Sequence, residues 1–188
     1  MDTFFEQIVK KKKTPIEWCI IIGSVLGALV LITASLLYIP SLLLIIAVLA
    51  IFGAWWLITS QNNEFEYSVT NGDIDIDRII AKRKRKRLVS VSGRKIECLL
   101  PFDAARVRTD GFQRVVVTAP SANEEGLWYF TYHSKKNGHT IVIFQPEERV
   151  LNALYAGLQK LVQLDTQRAA RELGLMLTGS RGSHGAEE

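Results

Sequence analysis

The sequence predicts an α+β protein in two unlike parts: a hairpin of two apolar helices, then about seven short antiparallel strands closed by a C-terminal amphipathic helix. Three observations predict it. Two long charge-free runs flank Pro40. A series of short runs then alternates apolar and polar residues. After Pro146 the apolar spacing changes to that of a helix face. The averages of the 188-residue chain, 48% hydrophobic and 22% charged with a net charge of +4, conceal this division.

The helices come first. Residues 20–38 read IIIGSVLGALVLITASLLY and residues 41–58 read SLLLIIAVLAIFGAWWLI, and neither run holds a charge. Each approaches the ~20 residues needed to cross ~30 Å of hydrocarbon. A single helix through both would be kinked at Pro40, so two crossings with a short turn fit better. Trp18 and Tyr38 lie at the ends of the first run, and Trp55 and Trp56 near the end of the second. Aromatic residues concentrate in this way at headgroup level. The first run exceeds the core of a cleaved signal peptide, and a second run follows at once.

Charge sets the expected orientation. Lys10, Lys11, Lys12 and Lys13 precede the first run, the connection at Pro40 carries no cation, and nine cations fall between Arg78 and Lys95. Positive flanks stay inside, so both termini are expected in the cytoplasm. The two cysteines, Cys19 in the first run and Cys98 in the later part, form no disulfide framework or metal-spaced pair.

The strands follow in order. Phe65, Tyr67 and Val69 alternate with polar residues, as do Ile74, Ile76 and Ile80, and Asn71-Gly72 separates the two runs. Asn-Gly between alternating runs is the strongest short-range hairpin signal, because both central turn positions need positive φ. Further strands are expected over 87–91, 96–102, 112–119, 127–133 and 139–145. With no long helix between them, an antiparallel meander is the natural arrangement. Val150, Leu151, Leu154, Tyr155, Leu158, Leu161 and Val162 then share one helical face, with Pro146, Glu147 and Glu148 suited to its start. The expected organisation is a basic cytoplasmic N-terminus (1–15), a transmembrane hairpin (16–60), a β-rich domain (61–163), and a weak helix with a disordered tail (164–188).

Two segments, EFEYSVTNGDIDIDRIIAKRKRKRL (64–88) and IVIFQPEERVLNALY (141–155), make the chain resemble small two-span bacterial membrane proteins of unknown function that carry a PH-like (pleckstrin-homology-like) domain. The resemblance covers roughly residues 1 to 160. It implies that the strands form a PH-like barrel capped by the helix and that the protein sits in the bacterial plasma membrane. It brings no established chemistry and no catalytic residues.

The search for chemistry is thin. G-x-G-x-x-G, Walker A and H-E-x-x-H patterns are absent. Ser92-Gly93-Arg94-Lys95 matches a bare S-x-x-K, without the S-D-N and K-T-G companions. His133 and His139 bracket a hairpin loop, but two imidazoles do not make a metal site. No metal or cofactor is expected. Asp73, Asp75 and Asp77 share one strand face and suit a solvated acidic strip beside the cations. Trp128, Phe130 and Tyr132 point one way along a strand and Tyr129 the other, so one set is expected to fill the core rather than stack bases. From residue 61 onward there are 19 Lys and Arg against 16 Asp and Glu. Positive charge is therefore local, and nucleic acid is an unlikely partner.

The local charge is Lys82, Arg83, Lys84, Arg85, Lys86 and Arg87. The strand over 64–70 carries the chain ~20–23 Å away from the end of the second apolar run, and the next strand brings it back. The six cations are thus expected in a turn at the headgroups, contacting anionic lipid. Gly23 and Gly27 form a G-x-x-x-G spacing that packs helices closely, between the two runs or between two copies. The expected function is that of a non-enzymatic integral membrane protein whose cytoplasmic domain binds anionic lipid or a protein partner, another copy included. The alternative is a small membrane enzyme or transport accessory with a site where spans and domain meet. Against it stands the lack of ionisable residues in the runs beyond Glu17.

Overall fold

The computed structural model describes residues 4–121 and 124–177; the expected tail over 180–188, with His184, lies outside them. The described chain forms two compact units, one made by the sheets and the last two helices, the other by Lys12–Asn63 with Ile79–Arg85.

In the second unit, α1 (Pro15–Tyr38) and α2 (Leu43–Ser60) pack against each other across a short 3-10 turn at Pro40. At ~1.5 Å per residue they are about 36 and 27 Å long. Of the most apolar window of each, 6% and 0% of the residues are buried. Both helices are long and apolar enough to cross a membrane, whereas a core helix of a soluble protein would be mostly buried. Glu17, the one charge, belongs to the helix start. Its carboxylate accepts from the Thr14 amide at 2.9 Å, while the Thr14 hydroxyl accepts from the Glu17 amide at 3.4 Å, a capping box beside Pro15.

Two four-stranded sheets make up most of the first unit. One has the order β1 (Phe4–Lys10), β2 (Asn63–Thr70), β3 (Asp73–Ile80), β4 (Lys84–Val91). The other has the order β5 (Ile96–Pro101), β7 (Trp128–Ser134), β8 (Gly138–Phe144), β6 (Arg114–Val117). The ends of β2, β3 and β4 next to the helical hairpin belong to the second unit. The expected closed barrel of seven strands is therefore corrected to two open sheets of eight strands. The meander is corrected too, because β6 runs parallel to β8. Residues 102–113 between β5 and β6 supply the dozen positions a crossover needs. They also cover the outer face of the second sheet, where Phe102, Val107 and Phe112 pack with Ile141 and Ile143.

The eighth strand is β1, to which the sequence assigned no structure. It pairs antiparallel with β2 from Phe4 opposite Thr70 to Lys10 opposite Glu64. Its inward Gln7 donates from Nε2 to the Gln145 carbonyl at 3.1 Å and accepts from the Glu147 amide at 2.7 Å. Between β1 and its sheet neighbour β2 the chain runs through both apolar helices.

The main core joins Tyr67, Ile74 and Ile76 of the first sheet, Leu99, Phe130, Val142 and Phe144 of the second, and Leu151, Leu154, Val162 and Ala170 of the helices. Trp128, Phe130 and Tyr132 are buried in it as expected, with Tyr129 on the other face. The Tyr67 hydroxyl ties the sheets together, donating to the Thr118 carbonyl at 2.7 Å. Burial pushes its pKa up to about 12 against the lowering effect of its hydrogen bonds.

The expected amphipathic helix is broken within its face: α3 (Glu148–Gly157) and α4 (Lys160–Glu172) are separated by an extended Leu158, and α4 runs on into the expected weak helix. Leu161 consequently leaves the common face and is 72% exposed. The first of the two helices ends at Gly157. A Cβ there would collide with the backbone of Gly72, and one at Gly93 would strike both. Three glycines from a hairpin turn, a 3-10 turn and a helix end thus permit a backbone contact that no other residue would allow.

Candidate functional site

The C-terminal end of α2 places Trp55, Trp56, Thr59 and Ser60 within about one and a half turns. The Ser60 hydroxyl donates to the Leu57 carbonyl at 2.7 Å. Two residues on, the Asn62 carbonyl accepts from the Ala81 amide at 2.8 Å, which ties the helix exit to the turn between β3 and β4. In that turn the Arg83 amide donates to the Ile80 carbonyl at 3.0 Å. Its two central residues, Ala81 and Lys82, hold left-handed φ of 52° and 56°. Each side chain there costs about 1–2 kcal/mol relative to a right-handed conformation. The turn sets the Arg83 guanidinium 5.6 Å from the centre of the Trp55 ring, a cation–π contact. Around them lies a cavity of about 210 Å³ lined by Trp55, Trp56, Ile80, Ala81, Arg83 and Lys84, together with Thr59 and Ser60. All these residues belong to one compact unit.

The six expected contact residues are therefore not one turn. Lys82 and Arg83 are in the turn; Lys84, Arg85, Lys86 and Arg87 begin β4. All six are exposed. The difference follows from the position of β4 at the edge of its sheet, where charged side chains are favoured because they block pairing with other chains. Arg87 is engaged by the acidic strip, with Nε donating to Asp77 at 2.8 Å and Nη1 lying 2.9 Å from Asp75. The hydrogen bond to Asp77 leads in raising its pKa. Asp73 turns to Ser92, accepting its hydroxyl at 2.7 Å and the Gly93 amide at 3.2 Å. So Ser92 of the S-x-x-K match serves a turn.

At the start of α1, Lys13 lies 5.6 Å from the Trp18 ring centre. In a helical hairpin the start of α1 and the end of α2 share one end, so both cation–aromatic pairs mark the same end of the hairpin. Gly23 and Gly27 are exposed, and a Cβ at either would meet nothing within 4 Å. They do not bring α1 against α2.

His133 and His139 face one another across the β7–β8 pair, as their bracketing of the loop suggested, and His139 Nε2 lies 2.8 Å from Glu97. No group of three or more His, Cys, Asp or Glu that could hold a metal ion forms among the described residues. Cys98 contacts the Thr131 hydroxyl at 3.2 Å, and burial pushes its thiol up, which keeps it in the unreactive form. Sequence reasoning missed Thr59, Ser60, Ile80 and Ala81 as cavity residues. The available signal was the Trp55-Trp56 pair, which marked the helix end but not its partner turn.

The family model of the bacterial PH-like domain (DUF6106), a family of unknown function, matches residues 1–163, from the N-terminal strand through both apolar helices into the first turn of α4. No curated protein matches, and no solved structure matches.

Proposed function

This chain belongs to the bacterial PH-like domain family, and from that premise we propose that it is a non-enzymatic, two-span protein of the bacterial plasma membrane. Its PH-like domain and both termini face the cytoplasm, and its basic run meets anionic lipid at the headgroups. The observation that carries this reading is the pairing of β1 with β2. Lys10 and Glu64 are cross-strand partners, so the chain leaves the sheet and returns to it at the same place. Any membrane crossed between them is crossed an even number of times. Two helices long and apolar enough to span lie in that interval. Lysines before α1 and the cations of 82–87 support the cytoplasmic assignment of that side.

Cations beside anionic headgroups contribute about 1 kcal/mol each. The spans already hold the protein, so this attraction orients the domain rather than anchoring it. The open face of Gly23 and Gly27 suits a helix of a second copy, since close backbone approach is what such spacing permits.

Reporter fusions test the topology. A reporter active only outside the membrane should be silent when fused after Glu188 and active when inserted at Ser41. External activity at Glu188 would refute the cytoplasmic placement of the C-terminus, and silence at Ser41 would refute the crossings.

A further inference from the structure

The basic run is not uniform. Arg87 is held by carboxylates, Lys86 stands on an exposed sheet edge, and only Arg83 and Lys84 border the cavity at the end of α2. That cavity is lined by two cations, two hydroxyls and two indoles, and none of its lining among the described residues is a carboxylate. Its volume of about 210 Å³ falls below the ~300–1,000 Å³ of sites that enclose a whole metabolite.

We propose that this cavity is a built site for the phosphodiester headgroup of one anionic phospholipid. Arg83 grips the phosphate, Lys84 adds a second charge, and Trp55 and Trp56 flank the glycerol end. The proposal rests on the membrane reading above and deepens it from diffuse attraction to one site.

Charge complementarity selects an anion, and the aromatic wall selects a lipid over a free anion. Indole rings bordering the site match a glycerol and acyl boundary, where one face is apolar and the edge N–H donates. A guanidinium held by its cation–π contact with a ring face has N–H groups directed away from the ring that can bond phosphate oxygens. The left-handed Ala81 and Lys82 supply a reason for the aim. Backbone held in sparsely populated conformations persists where the surroundings over-determine it, and such residues cluster at ligand clamps. Here the strained turn sets Arg83 over Trp55 and is tied by its own amide to the helix exit.

The test is native mass spectrometry of the full chain in detergent, with equal amounts of phosphatidylglycerol and phosphatidylcholine, for the parent and for Arg83→Gln, Trp55→Leu and Lys86→Gln. The parent should retain one phosphatidylglycerol per chain. Arg83→Gln should lower that retention at least about tenfold, the scale of a single lost charge-assisted hydrogen bond being the lower bound. Trp55→Leu should lower it less, and Lys86→Gln should keep it, all at unchanged melting temperature. Excess inorganic phosphate should not displace the lipid. Equal loss in Arg83→Gln and Lys86→Gln would overturn the site while leaving diffuse lipid attraction standing. Displacement by phosphate would overturn the lipid in favour of a free anion. No preference for phosphatidylglycerol by the parent would overturn both the site and the lipid-binding part of the proposed function.

Discussion

The turn at Asn71-Gly72 and the turn at Ala81-Lys82 close consecutive hairpins of one sheet, and both place two residues in left-handed backbone: φ of 52° and 84° in the first, 52° and 56° in the second. Their chemistry is opposite. Asn and Gly tolerate that conformation, whereas Ala and Lys carry a Cβ that clashes in it. Their surroundings differ in the same sense. Gly72 is buried against the backbones of Gly157 and Gly93, at a point where three elements must meet without side chains. Ala81 and Lys82 stand by the exit of an apolar helix, with Arg83 over Trp55. The sealed turn shows a sequence agreeing with its backbone to build a core. The open turn shows a sequence in conflict with its backbone, with a cation and an indole brought together as the result.

The sealed turn should respond most strongly to change. Gly157→Ala would gain about 1 kcal/mol from helix propensity in an open helix. Here its methyl meets the Gly72 backbone, and overpacking of this kind costs about 1–3 kcal/mol. A loss of stability in denaturant titration is therefore expected, and a gain would break the claim of close approach.

Tyr67, on the strand that leads into the sealed turn, comes next. Tyr67→Phe leaves the buried Thr118 carbonyl without this donor, for a loss of about 1–3 kcal/mol. The pH dependence should change with it. The unfolded chain releases the phenolic proton near pH 10 and the folded chain near 12. Between those values the folded state binds more protons, so the contribution of Tyr67 is complete below pH 10 and disappears as pH rises toward 12. The gap in stability between parent and Tyr67→Phe should therefore shrink over that window. A constant gap would place Tyr67 in a less buried setting.

The smallest effect belongs to the open turn and has the opposite sign. Replacing Ala81-Lys82 by Asn-Gly should stabilise the protein by about 1 kcal/mol, the relieved left-handed strain less the extra freedom of the unfolded glycine. If the variant is less stable, the backbone at 81–82 is not strained, and the contrast between the turns fails.

Much of this was legible before the fold was known. Asn71-Gly72 announced its hairpin because local conformational preference and strand alternation agree there. The inward face of Trp128, Phe130 and Tyr132 followed from the period of two. The strand β1 was hidden because its alternation is blurred: Phe5 and Val9 face inward, but apolar residues also stand on the outer face. Phe4 and Ile8 are exposed, while the inward Gln7 is polar and bonds to Gln145 and Glu147, far along the chain. The start of β4 was hidden because four consecutive cations read as a turn, and the edge position that favours them is a property of the sheet.

By itself the sequence determined what depends on near neighbours: two charge-free helices, the flanking lysines, the aromatic residues at the helix ends, most strands and the amphipathic C-terminal segment. Solvent preference and backbone propensity act residue by residue, so they can be read from a string. Tertiary structure alone decided that β1 closes onto β2 across the helical hairpin, that the strands divide into two sheets, and that Gly157 meets Gly72 backbone to backbone. It also decided which of six similar cations lies over Trp55. Those outcomes depend on contacts between residues distant in the chain, and the energy of such contacts exists only once the fold has brought the partners together.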